Sequence, residues 1–202
     1  MSQLKLTADG GGGTVSLKGP STTTGNAAIE LTVPGTGTST VDTLRRAGNI
    51  LQVVQTVKKD VVTTTSASFA AISGLSASIT PSSASNKILI NLTIGTLGSK
   101  SGYGAFIRLY KDGSNISGAT ATTVGSRNPL FVGGRTVSHT NTQGYAGQYL
   151  DTAGSTSSIT YQPYWTGESG FGTLYLNTQW NDPDGGAYHH SISSITLMEV
   201  AA

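Results

Sequence analysis

Cysteine is absent from the 202 residues of the chain, which excludes a disulfide framework and a thiolate metal centre and leaves stability to packing or assembly. Charge is also scarce: 12 Lys and Arg stand against 10 Asp and Glu, a formal net charge of +2. The only adjacent cations are Arg45-Arg46 and Lys58-Lys59, so the clustered basic stripe of a nucleic-acid binder is missing and no nucleic-acid partner is expected. No apolar run approaches the roughly 20 residues of a membrane-spanning helix, and residues 1–13 lack the charged-then-apolar order of a secretory leader. The chain is therefore expected to be made and kept soluble, with no membrane partner. No helical period of useful length follows Ile50, which excludes a doubly wound nucleotide fold. Leu, Ile, Val and Phe together make up only 44 of 202 residues. That core is thin, but low net charge and clear apolar alternation separate the chain from a disordered one.

The alternation has the period of strands. Ile88, Ile90, Leu92 and Ile94 interleave with polar Lys87, Asn91 and Thr93, giving one apolar and one polar face. Similar patterns predict strands at 50–57, 61–65, 69–72, 103–111, 115–124, 145–151, 159–165, 171–179 and 192–200. Asp112-Gly113 lies between two of them and suits the left-handed conformations of a tight hairpin turn. Turn-rich intervals between these strands point to an all-β fold for residues 49–202, a jelly-roll-like antiparallel β-sandwich.

Residues 1–48 read differently, as an extended N-terminal β-arm and linker. Leu4 and Leu6, Val15 and Leu17, then Ile29, Leu31 and Val33 alternate in short bursts, separated by four glycines at 10–13 and a polar stretch at 21–26. Such bursts bury too little to offset the ordering of some thirty residues at about 1 to 2 kcal/mol each. The arm is therefore expected to add strands to a partner's sheet edge, with Ile29, Leu31 and Val33 as anchors. Thr40 to Gly48 carries a cap residue, two cations and a terminal glycine, which predicts one or two helical turns. Arg45 and Arg46 either contact an acidic partner or complement the C-terminus of that turn.

Catalytic chemistry finds little purchase. His139, His189 and His190 are the three histidines. Adjacent strand residues point to opposite faces, so His189 and His190 are poorly placed to chelate one ion, and the acids at 182 and 184 match no calcium loop. Neither glycine-rich segment ends as a phosphate-binding loop, and no serine elbow is present. The acids are solitary, with a spatial pairing of Asp151 and Glu168 left open. No enzyme activity, metal or cofactor is expected. The last third is rich in aromatics, and two readings follow. Tyr164, Trp165, Trp180 and Tyr188 stack on a sugar ring, or Tyr161 and Trp165, sharing one strand face, fill the core or a subunit interface.

Several segments together resemble a known module: 50–57 (ILQVVQTV), 66–69 (SASF), 75–87 (LSASITPSSASNK), 107–113 (IRLYKDG) and 194–200 (SITLMEV). Their order and spacing are similar to a β-module of tail-fibre and other virion structural proteins of bacteriophages, marine and cyanobacterial ones included. The resemblance covers about residues 49–202, and the glycine- and threonine-rich 7–41 resembles the leaders of such proteins. It implies a homotrimer on the virion, produced in the host cytoplasm, with the arm docked on other virion structural proteins and the β-domain outward; the aromatic-rich end adds the alternative that the module binds a host surface glycan. Shaft repeats and coiled coils of long fibres are lacking. That leaves a short tail fibre, a baseplate component or a capsid decoration protein as the expected settings.

Overall fold

The computed structural model of the chain describes residues 5–7, 14–16, 47–135 and 142–202. The chain divides into two units, Met1–Val41 and Asp42–Ala202. In the first, β1 (Lys5–Thr7) pairs antiparallel with β2 (Thr14–Ser16), placing Leu6 opposite Val15. The anchors Ile29, Leu31 and Val33, the pair Arg45-Arg46 and most of the expected helical turn lie outside the described residues. Ala47 and Gly48 form a turn. The Gly48 N–H donates to the Ala201 carbonyl and the Ala201 N–H to Asn49, each at 2.9 Å, so residue 48 belongs to the second unit rather than to the arm.

The second unit contains β3 (Ile50–Lys58), β4 (Val62–Thr64), β5 (Ala70–Ala71), β6 (Ala77–Ile79), β7 (Lys87–Gly98), β8 (Gly104–Lys111), β9 (Ser114–Asn115), β10 (Val132–Arg135), β11 (Gln143–Thr152), β12 (Ile159–Gly167), β13 (Leu174–Leu176) and β14 (Ser193–Val200). One antiparallel sheet runs β3-β14-β7-β11, with β13 and β4 continuing it beyond the end of β14. The other runs β6-β12-β8-β10, with β5 beside β12 and β9 closing a hairpin on β8. These two strand orders are those of a jelly roll, in which two Greek keys form a double-sheet sandwich. The core is built by alternate residues of facing strands: Ile88, Ile90, Leu92 and Ile94 from β7, Ile195 and Leu197 from β14, Ile107 and Leu109 from β8, Tyr161 and Trp165 from β12.

The hairpin at 112–113 forms as its residues predict, with Asp112 at φ 48° and Gly113 at φ 77°. The strand expected at 115–124 does not follow it. Only Ser114 and Asn115 pair with β8, and a 3-10 turn at Ser117–Ala119 then carries the chain away. Gly118 lies directly beneath the Tyr149 hydroxyl, where a Cβ would collide, so close packing wins over local strand propensity. The expected strand 171–179 shortens to Leu174–Leu176 because Phe171 closes a turn onto Glu168 and Asn177 takes a left-handed φ of 66°. Alternation also missed β6 and β10, whose three and four residues are too short to show a period.

Three buried polar groups tie strands and their connections together. Asn177 donates through Nδ2 to the carbonyls of Lys58 and Asp60, each at 3.0 Å, and its Oδ1 accepts from the Ser193 hydroxyl at 2.6 Å. Tyr161 donates its hydroxyl to Asp151, which also pairs with Lys111 at 2.8 Å. Burial first, and then this bond, pushes the Tyr161 phenol far above its usual value. Glu199, 1% exposed, accepts from Gln52, from the Ser82 N–H and hydroxyl, and from Asn86, at 2.6 to 2.8 Å.

Burial pushes the Glu199 carboxyl up, yet the bonds from Asn86, Gln52 and Ser82 outweigh it and hold the group below its ordinary value. A carboxyl depressed in the folded state contributes stability above its unfolded value and loses it as pH falls through the folded one. Unfolding midpoints in urea should therefore decline as pH falls below about 5. Glu199→Gln should flatten that decline; an unchanged slope would show that other carboxyls cause it.

Candidate binding face

The strand β8 buries Ile107 and Leu109, so pleating turns Phe106, Arg108 and Tyr110 to the opposite face of the sheet. On β12 the same alternation buries Tyr161, Pro163 and Trp165 and turns Gln162 and Tyr164 outward, while Thr166, on the same side, is covered and donates its hydroxyl to the Ser66 carbonyl. Register brings the two sets together, with Tyr164 opposite Arg108, Gln162 opposite Tyr110 and Thr166 opposite Phe106. The Tyr110 and Tyr164 rings stack, their centroids 3.8 Å apart and their planes 15° from parallel. Stacked face to face, each ring covers one side of the other and holds it rigid, so the apolar surface the pair can offer is an outer face one ring wide, with the hydroxyls at its rim.

Beside this pair the Arg108 guanidinium lies 4.1 Å over the ring of Phe69, and its Nε donates to the Pro129 carbonyl at 2.9 Å. The side chain is thus fixed on a face and on one edge, while among the described residues no acceptor takes its Nη groups. Next to it opens a recess of about 620 Å³, bounded by Phe69, Phe106, Arg108, Asn128, Thr166 and Glu168. Glu168 does not leave this recess negatively charged. Its two oxygens pair with the Arg135 guanidinium at 3.1 and 3.3 Å and accept from the Gly104 N–H at 3.1 Å.

The four aromatics expected to contact a sugar are dispersed. Tyr164 stands on this face. Trp165, its neighbour, is 2% exposed in the core, which withdraws it from any ligand contact and agrees with the alternative that it fills the sandwich with Tyr161. Trp180 and Tyr188 lie on the connection between β13 and β14, Trp180 half-buried and Tyr188 exposed. Phe69, Phe106, Arg108 and Tyr110 were missed. The available signal was the spacing of Phe106, Arg108 and Tyr110 at i, i+2 and i+4, two aromatics and a cation at positions where a solvated strand face is ordinarily polar.

The other candidate groups separate in space. Asp151 and Glu168 pair with Lys111 and with Arg135 at opposite ends of β8, about 23 Å of strand apart. His190 meets Asp182 at 2.8 Å, whereas His189 faces the Thr142 hydroxyl at 3.5 Å, so the two imidazoles engage different partners. Neither a protein-family model nor a curated protein sequence matches the chain.

Proposed function

We propose that this chain is a structural protein of a bacteriophage particle, a short tail fibre or fibre-like component that assembles as a homotrimer and attaches through its N-terminal arm. The observation that carries this reading is the outward face of the β3-β14-β7-β11 sheet. Register lines up Val53, Met198, Leu89 and Leu150 as one row across all four strands. Val57, Ser194, Thr93 and Ala146 form a second row, and Gln55, Thr196, Asn91 and Gln148 lie between the two. Val53 and Leu150 are 56% and 53% exposed. These three rows carry no charge, so covering them desolvates no ion, and their apolar area contributes about 25 cal/mol per Å² when buried.

The jelly-roll sandwich and the similarity of residues 49–202 to virion modules support the same assignment. Light scattering of the purified protein tests it: the wild type should be trimeric at micromolar concentration, and Val53→Lys with Leu150→Lys should be monomeric with an unchanged circular dichroism spectrum. A monomeric wild type would overturn the proposal. A second reading, recognition of a host surface glycan by the same protein, is favoured by the aromatic face on the other sheet.

A further inference from the structure

We infer that the outward face of β8 and β12 binds an acidic saccharide, with Arg108 receiving the sugar's carboxylate and the Tyr110–Tyr164 pair carrying a pyranose ring. This rests on the glycan reading and specifies its ligand and location. Three features of the site select that ligand. The first is the state of Arg108. With Nε committed to Pro129 and one face on Phe69, its Nη1 and Nη2, which no acceptor takes among the described residues, form a fixed two-pronged donor, the geometry that a carboxylate accepts with both oxygens. Because the side chain is already held, binding costs little of its rotamer entropy.

The second is local charge balance. Arg135 is neutralised by Glu168, so Arg108 supplies the net positive charge of the recess, and one anionic group per binding unit matches it. The third is the surface beside that charge. The stacked phenols offer the outer face of one ring, held rigid by the other, to the axial C–H face of a sugar, and their hydroxyls with Asn128 offer hydrogen-bonding groups to its rim. Single-stranded nucleic acid also stacks on aromatics, but it needs a run of cations to follow its phosphates. One unneutralised arginine does not supply that run.

The test is calorimetric titration of the full chain with uronic-acid and sialic-acid trisaccharides, with the methyl ester of each, and with an oligothymidylate. At least one acidic saccharide should bind with a dissociation constant of about 1 mM or tighter, and its ester roughly tenfold more weakly. Arg108→Gln should reduce the acid's affinity to that of the ester, with Arg108→Lys recovering only part of the loss. Tyr164→Ala should weaken acid and ester together, and unchanged circular dichroism spectra of the variants exclude misfolding as the cause. Equal affinity for acid and ester would overturn the acid specificity while leaving the glycan reading intact. Binding of the oligothymidylate alone, or of no probe, would overturn both.

Discussion

Replacing Asn177 by alanine should destabilise the protein by at least about 4 kcal/mol, a large part of the 5 to 15 kcal/mol typical of a domain. Two costs combine. The first is the loss of three buried hydrogen bonds, which strands the carbonyls of Lys58 and Asp60 and the hydroxyl of Ser193, groups that each cost about 1 to 3 kcal/mol when partly unsatisfied. The second is the left-handed backbone at φ 66°, which asparagine tolerates and alanine resists by about 1 to 2 kcal/mol. Asn177→Gly separates them, since glycine keeps the conformation and loses only the side chain. Urea denaturation should place the glycine variant between wild type and Asn177→Ala. A loss for alanine of only about 1 to 2 kcal/mol, the backbone cost alone, would mean that water replaces the amide without penalty.

Trp165→Ala should cost about 3 to 5 kcal/mol by opening a cavity between the sheets, while Tyr164→Ala, one residue away, should cost much less. The contrast tests the pleat of β12 directly. Trp165 is packed among core residues at 2% exposure, whereas Tyr164 is half-buried and rests chiefly on Tyr110. Urea midpoints for the two variants decide it: comparable losses, or a greater one for Tyr164, would contradict the burial assigned to each. The pair also separates folding from recognition, because only Tyr164→Ala should affect saccharide binding while leaving the fold largely intact.

Much of this architecture was legible in local pattern. The four alternating aliphatics at 88–94 define the buried face of β7, the longest strand, and Asp112-Gly113 marks the turn that closes β8 onto β9. The sharing of one strand face by Tyr161 and Trp165 was likewise readable from their spacing, because side-chain direction in a strand repeats every two residues. The candidate face was read less well. Aromatics concentrated in one third of the chain suggested a common site, yet Tyr164 falls on β12 while Trp180 and Tyr188 fall on the connection between β13 and β14, and Tyr164 instead meets Tyr110 from β8.

The sequence by itself determined the all-β class, the positions of the long strands, the tight hairpin and the lack of thiol chemistry, since each depends on residue type or on a period of two that neighbouring residues express. Tertiary structure alone decided which residues from remote strands stand side by side. The bonds of Asn177 to Lys58 and of Glu199 to Asn86 span separations of 119 and 113 residues, and Tyr164 stands opposite Arg108 only through the register of β12 on β8. No local pattern encodes such pairings. They follow from the strand order of the jelly roll, in which every sheet neighbour is chosen by how the two sheets close over a shared core.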